Sequence, residues 1–233
     1  MEPMTEHMYD AAYYAAFLNL KGKTCVVVGG GRVASRKVQA FLDHDCLIRV
    51  ISPMIVQGIR EMAETSQRVA EVELLERDYR PGDLEGAFLV VAATDCEEVN
   101  RRVFLDADAQ NIPVNVVDDP EKCTFIVPAL VRRGGLSIAI STAGKSPFLA
   151  RRIRESLEEE FGDEYACFLQ WLGEARPQVI AAVPVSGRKK AFSELASCSA
   201  LKLLGEGKRD EAWSAFQQVL QRVLGSSGHA SRL

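Results

Sequence analysis

The sequence predicts an α/β fold: a parallel sheet of doubly wound type toward the N-terminal end, then a central region, then helices. Three observations predict it. Short apolar strands alternate with amphipathic helices between Thr24 and Val117, the pattern of a parallel sheet. The first strand runs directly into Gly29-Gly30-Gly31 and a helix. Beyond Pro120 the alternation gives way to two short strands and then to apolar residues at helical spacing.

The elements follow in order. Residues 1–12 are expected to be mobile, and Tyr13, Tyr14, Phe17 and Leu18 to pack on the first strand. Lys21-Gly22-Lys23 is a turn. The first strand, Thr24 to Val28, is apolar throughout, as a strand covered on both faces would be, with Cys25 as a core residue. The next helix spans Ser35 to about Leu42, with Val33, Val38, Phe41 and Leu42 inward and Arg36 and Lys37 outward. A second strand, Leu47 to Ile51, ends at Ser52-Pro53, and a helix carries Ile55, Val56, Ile59 and Met62. Val72-Glu73-Leu74 is a third strand. Phe88 to Ala92 is a fourth, ending in Ala93-Thr94-Asp95, and its helix carries Val99, Val103 and Ala107. A fifth strand, Pro113 to Val117, ends in Asp118-Asp119-Pro120.

Phe125 to Leu130 and Leu136 to Ser141 read as strands joined by Arg132-Arg133-Gly134-Gly135. Ser146 is an N-cap with Pro147 behind it, and Leu149, Ile153, Leu157 and Phe161 recur every four residues on the helix they open. From about 164 the chain is helical, broken by Pro177, Pro184 and Gly205/Gly207. The last helix places Ala212, Phe216, Val219 and Val223 on one face. A polar tail, 225–233, is expected to be disordered.

Composition narrows the function. The 233 residues, 47% hydrophobic and 26% charged, suffice for one or two domains with ample core. A net charge of −4 argues against general nucleic-acid binding. No apolar run approaches the roughly 20 residues of a membrane span, and the acidic, polar N-terminus is no secretory signal. Six cysteines (25, 46, 96, 123, 167, 198) form no C-x-x-C, and His7, His44 and His229 are scattered, so no metal site is expected. Reduced thiols in a cytoplasmic protein are the expectation.

The motif with chemistry in it is G-x-G-x-x-A at Gly29, Gly31 and Ala34. The first glycine allows the sharp turn, the second lets backbone amides approach a pyrophosphate, and the small third residue lets helix and strand pack closely. The helix N-terminus then offers unpaired N–H groups and partial positive charge to the anion. This points to a dinucleotide and to hydride transfer. In doubly wound sheets ligands bind beyond the carboxyl ends of the strands, where Ser52-Pro53, Thr94-Asp95 and Asp118 also fall.

The likeness extends beyond the glycine turn. Leu20-Lys21-Gly22-Lys23 leads into it and Ala34-x-Arg36-Lys37 follows. Ala92-Ala93-Thr94-Asp95 precedes Val99-Asn100. Asn115-Val116-Val117-Asp118 is followed by Phe125-Ile126-x-Pro128-Ala129. Ser141-Thr142-x-Gly144-Lys145-Ser146-Pro147 runs into Leu149-Ala150-Arg151-x-Ile153-Arg154. This ordered set resembles the precorrin-2 dehydrogenase family, including the dehydrogenase/ferrochelatase module of sirohaem synthases. The resemblance is dense from about 13 to 160 and weak in the helical C-terminus.

It implies a homodimer that oxidises precorrin-2 to sirohydrochlorin with NAD, some family members also inserting Fe²⁺ to give sirohaem. It implies an NAD-binding Rossmann domain (1–118), a central dimerisation and substrate region (119–150) and a helical domain (151–224). No methyltransferase domain is recognisable, so a stand-alone enzyme is expected. Arg32 and Val33 in the first helical turn, and Pro53 and Met54 after the second strand, are implied cofactor contacts, although Val33 also reads as core. The acidic residue expected at the end of the second strand is missing, which weakens the choice of NAD over NADP from sequence. Arg49 reads as a possible phosphate partner or, better, a strand-face residue.

Two readings stand for Thr94 and Asp95: lining the cofactor pocket, or capping the next helix. Asp118 is the candidate catalytic residue, a carboxylate able to take the proton that accompanies hydride loss, to hold a pyrrole N–H or to deliver Fe²⁺; Asp-Asp-Pro is also ordinary turn chemistry, the reading kept for Asp119. Thr142, Lys145 and Ser146 are candidates for binding substrate carboxylates at a helix N-terminus. Arg132, Arg133, Arg151, Arg152 and Arg154 are either carboxylate grips or a solvated face balanced by Glu155, Glu158, Glu159 and Glu160. The rival function is an NAD-sensing regulatory module without turnover.

Overall fold

Alternation along the first strand decides the architecture. In the computed structural model, which describes residues 13–65 and 72–225, Val26 and Val28 face one way and Cys25 and Val27 the other, and all four are buried. Five parallel strands line up in the order β3-β2-β1-β4-β5: β1 (Thr24–Val28), β2 (Leu47–Ile51), β3 (Val72–Leu75), β4 (Ala87–Ala92) and β5 (Val114–Val116). Helices α1 (Arg32–Leu42) and α2 (Gln57–Thr65) bring Ala34, Val38 and Ile59 to Cys25 and Val27. Helix α3 (Glu97–Ala109) brings Val103 and Ala107 to Val26 and Val28 on the opposite face. Burial on two faces is what the unbroken apolar runs encode, each buried valine or isoleucine contributing about 1.5–3 kcal/mol. A hydrogen bond with the Cys46 thiol, together with burial, pushes the Cys25 thiol up, so it stays neutral in the core.

The strand order reverses direction between β1 and β4, the switch point at which such sheets bind ligands. The first compact unit runs to Val127. The reason is local: the segment after β5 doubles back along it, with Thr124 N–H on Val114 O at 2.8 Å and Val114 N–H on Thr124 Oγ1 at 2.8 Å.

The second unit starts at Pro128. An antiparallel pair, β6 (Ala129–Arg133) and β7 (Leu136–Ile140), precedes α4 (Pro147–Glu160), α5 (Glu164–Ala182), α6 (Val185–Ala196), α7 (Ala200–Gly205) and α8 (Arg209–Gly225). Its core gathers Phe168, Trp171, Val179, Leu195, Phe216 and Leu220, with Trp171 and Phe216 rings 5.7 Å apart.

Several expectations are corrected. Tyr13, Tyr14, Phe17 and Leu18 are exposed, not packed on β1, because both faces of that strand are already covered; Leu20 is the residue that reaches the core. Helix α1 starts at Arg32 rather than Ser35, since Gly31 is already its extended N-cap. Lys37 is half-buried rather than outward. Ile55 and Val56 precede α2, Val56 N–H being bound to Gly30 O at 2.9 Å.

Phe125–Pro128 is not strand: Asn115 Nδ2 donates to Phe125 O at 3.1 Å, and Pro128 has no N–H for a ladder. Arg132 and Arg133 lie within β6, and the turn is Gly134-Gly135, with Gly134 at φ +56°. The run Leu149, Ile153, Leu157, Phe161 is on α4 as expected, yet Leu149 and Ile153 are exposed and Ala150 is the buried residue. Pro177 does not break α5: burial of Trp171, Ala175 and Val179 around it outweighs the about 3 kcal/mol cost of an interior proline. In α8 Ala212, Phe216 and Val223 are buried as expected, but Leu220 completes that face and Val219 is half-buried. Residues 1–12, expected to be mobile, and the tail beyond Gly225, expected to be disordered, lie outside the described residues.

Candidate functional site

The three adjacent glycines do three different things. Gly29 has φ +125°, and a Cβ there would lie 2.3 Å from Ala93 O, so the exits of β1 and β4 touch at this point. Gly30 has an ordinary φ, but its Cβ would meet Met54 O at 2.0 Å and the Ser52 side chain at 2.9 Å. Gly31 has φ −87° and ψ −168°, backbone that any residue adopts, and its Cβ would meet nothing within 4 Å. Behind it Ser35 N–H finds Gly31 O at 2.9 Å. That leaves the N–H groups of Arg32, Val33 and Ala34 as the first-turn donors without a helical acceptor, carrying the partial positive charge of the N-terminus. Arg32 is exposed, Val33 half-buried, and Ala34 wholly buried against the sheet.

Beyond β2, Ser52 Oγ donates to Met54 O at 2.8 Å, shaping a loop in which Pro53 and the Met54 side chain are exposed. Arg49 is a strand-face residue: its Nε meets Glu73 Oε2 at 2.7 Å and its NH1 donates to Asp83 O at 3.1 Å. Beyond β4, Thr94 Oγ1 lies 2.8 Å from Asn100 Oδ1 and accepts from Cys96 N–H at 3.1 Å, while Asn100 Nδ2 donates to Thr94 O at 2.9 Å. The α3 N-cap is Cys96, so neither Thr94 nor Asp95 caps it; Asp95 is exposed.

Beyond β5, Asp118 adopts φ +61°, a left-handed conformation that aspartate tolerates better than most residues. Its side chain is exposed and makes no hydrogen bond or ion pair with the described residues. The neighbouring Asp119 is the turn residue, paired with Lys122 and heading the 3-10 turn Pro120–Lys122. Cys123 Sγ lies 3.2 Å from both Val116 O and Asp119 O and so holds the turn. Lys37 of α1 is in Coulombic reach of Asp118; burial lowers its pKa from the ordinary lysine value, Arg36 adds to this, and Cys123 and Asp118 oppose it.

Gly29, Gly31, Arg32, Val33, Pro53, Met54, Thr94, Asp95 and Asp118 therefore share the carboxyl edge of one sheet. Thr142, Lys145 and Ser146 belong to the second unit. There Thr142 Oγ1 accepts from Ser146 N–H at 3.1 Å, and Ser146 Oγ accepts from Leu149 N–H at 3.2 Å, capping α4; Lys145 is exposed. Arg151 pairs with Glu155 and Arg154 with Glu158, the balanced helix face, and Arg133 NH2 donates to Glu158 O at 3.1 Å.

Comparison with known proteins now bears on this edge. Residues 16–129 match an NAD(P)-binding family model, and 133–160 match the sirohaem biosynthesis protein central family. The siroheme synthase of Methylobacillus flagellatus is 38% identical over 209 residues, 88% of this chain and 43% of that one. The siroheme synthase of Pseudomonas fluorescens is 40% identical over 178 residues, 76% of this chain and 38% of that one. The chain spans less than half the length of these curated relatives. A solved structure titled SirC, precorrin-2 dehydrogenase, aligns with TM-score 0.70 and 29% identity over 88% of this chain and 100% of that one. The chain belongs to the precorrin-2 dehydrogenase family.

Within this precorrin-2 dehydrogenase framework, sequence reasoning missed three residues of the sheet edge. Gly30 is more tightly enclosed than either glycine of the motif. Asn100 locks the Thr94 loop; it stands in the motif Thr94-Asp95 … Val99-Asn100, but nothing in the sequence gives it that role. Lys37 was assigned to solvent, though it lies one residue before buried Val38.

Proposed function

We propose that the chain oxidises precorrin-2 to sirohydrochlorin with NAD, as a homodimer. One observation carries the reading: Gly31, the motif glycine whose missing Cβ nothing inside the protein explains, opens with the free first-turn amides onto the strand edge that presents Asp118.

The residues present fit the dinucleotide. Backbone N–H groups of Arg32, Val33 and Ala34 would bind the diphosphate, Pro53 and Met54 the adenosine, and the Thr94-Asp95 loop the pocket wall. NAD bound there supplies the hydride acceptor. The substrate loses two electrons as a hydride, and a proton must leave with it; the Asp118 carboxylate, exposed and without a hydrogen-bond or ion-pair partner among the described residues, takes that proton as general base. Within the second unit, Thr142, Lys145 and Ser146 are our candidates for holding substrate carboxylates at the α4 N-terminus, with Lys145 exposed and without an ion pair among the described residues. The dimer is supported by an uncovered apolar strip on the second unit: Phe148 is 78% exposed, and Leu130, Leu149 and Ile153 are also exposed. No helix among the described residues is long and apolar enough to cross a membrane.

The test is purified protein with precorrin-2 and NAD, followed at the NADH absorbance, with and without Fe²⁺ to read chelation in the same cuvette. Wild type should form NADH, and Asp118→Ala should keep NAD affinity while losing about 10²-fold or more in turnover. Unchanged turnover in Asp118→Ala removes that residue from the chemistry. Tight NAD binding by wild type with no NADH formed returns the chain to the sensor reading.

A further inference from the structure

β5 is the outermost strand of its sheet, so its outer edge has no strand to pair with. The return segment 122–124 takes that place. Thr124 N–H donates to Val114 O at 2.8 Å, and the Thr124 hydroxyl accepts from Val114 N–H at 2.8 Å. Two residues further along the same edge, Cys123 Sγ lies 3.2 Å from Val116 O and 3.2 Å from Asp119 O. Lys122 pairs with the Asp119 carboxylate. Val114 is wholly buried, so without the hydroxyl its N–H would have neither water nor partner.

These contacts enclose the turn 116–119. Asp119 N–H returns to Val116 O at 3.2 Å, which makes Asp118 the third residue of a β-turn. Its φ of +61° is the conformation that this turn position ordinarily gives to glycine or asparagine. A glycine would fit the backbone better and would carry no carboxylate. A larger residue stays in such a conformation only where its surroundings over-determine the backbone. The Asp118 side chain adds nothing to its own placement, being exposed and without a hydrogen bond or ion pair among the described residues. A general base acts only within hydrogen-bond reach of the proton it takes, and a misplacement of about 1 Å can cost about 100-fold in rate. A carboxylate with no contact of its own is aimed by its backbone, and here the backbone is fixed from the return segment.

We propose that Cys123 and Thr124 are positioning residues for the Asp118 carboxylate: they tie the 116–119 turn to the edge of β5 and so hold the base in one place at the strand exit. This role rests on the reading of Asp118 as general base.

Thr124→Val removes the hydroxyl and keeps the shape; Thr124→Ser keeps the hydroxyl. Cys123→Ala removes the thiol; Cys123→Ser keeps a donor. Thr124→Val and Cys123→Ala should each lower kcat about tenfold or more, with KM for precorrin-2 and NAD affinity by calorimetry within about twofold of wild type. Serine at either position should recover most of the loss. In an Asp118→Ala background the same two substitutions should leave the residual turnover unchanged, because no carboxylate remains to be aimed. Amide hydrogen exchange at Asp119 should quicken about fivefold or more in Thr124→Val and in Cys123→Ala, while Val90 and Val91 exchange as in wild type. Unchanged kcat in both variants overturns the proposal. So does a loss of the same size in the Asp118→Ala background, or a parallel loss of NAD affinity, either of which would reduce the segment to a folding role. If the unpaired Val114 N–H keeps Thr124→Val from folding, Cys123→Ala decides by the same measurements. Wild type that never reduces NAD defeats the dehydrogenase reading; Asp119 exchange then still tests the clamp, and exchange unchanged in both variants overturns it.

Discussion

The two sheets of this chain are finished to different degrees. In the five-stranded sheet, β1 and β4 are covered on both faces by helices of the same unit, and Val26, Val27, Val90 and Val91 are at most 1% exposed. In the two-stranded sheet only Val131 is buried, and the adjoining helix leaves Phe148, Leu149 and Ile153 open. Two strands alone are marginal in water. The first sheet is complete within one copy of the chain; the second unit leaves an apolar strip open, the one assigned above to the proposed homodimer.

The sharpest way to break the first half of that contrast is Gly30→Ala. A methyl group 2.0 Å from the Met54 carbonyl meets backbone, not a flexible side-chain end. Either the loop after β2 or the glycine turn must shift. The expected loss is about 3 kcal/mol or more, a fall in Tm of roughly 10 °C, read by thermal unfolding. A wild-type Tm would show that the exits of β1 and β2 are not locked to one another.

Phe148→Asp probes the second half. It should leave the fold of each copy intact, since the ring is already exposed, and weaken self-association about 100-fold or more, as expected for an aromatic anchor. Sedimentation equilibrium measures this directly. Association unchanged by the aspartate would place the dimer surface elsewhere.

The same contrast governs what could be read from sequence. Strands β1 and β2 were legible to the residue because apolar runs buried on both faces end at Gly29 and Ser52, where the chain must turn. The carboxyl edge was legible through G-x-G-x-x-A and the residues closing each strand. Legibility failed where a distant segment decides the outcome. Phe125 to Pro128 has the composition of a strand, but Asn115 claims the Phe125 carbonyl. Lys37 reads as outward on helical periodicity, and nothing local announces that the segment after β5 returns to pack Phe125 against the cluster that holds Ala34 and Val38 of the same helix. Pro177 reads as a stop, while packing of Trp171 and Val179 carries α5 through it. The apolar spacing of α4 was visible, but spacing cannot say whether the covering surface comes from the same chain.

The smallest expected effect on stability, Gly31→Ala, is the most informative about the cofactor. Three glycines in a row are indistinguishable in sequence; in the structure Gly29 is required by φ +125° and by Ala93 O, and Gly30 by Met54 O. Gly31 is required by neither conformation nor neighbour. Alanine there should change stability by about 1 kcal/mol or less, the modest difference between glycine and alanine at an N-cap. If the diphosphate lies on the first-turn amides, however, the same methyl group occupies space the ligand needs. NAD affinity by calorimetry should then fall about tenfold or more, and further in Gly31→Asp, where like charge adds to the clash. Stability retained with affinity lost would show that this glycine serves the ligand rather than the fold. Unaltered NAD affinity in both variants would move the diphosphate away from α1, and with it the reason for placing the nicotinamide toward Asp118.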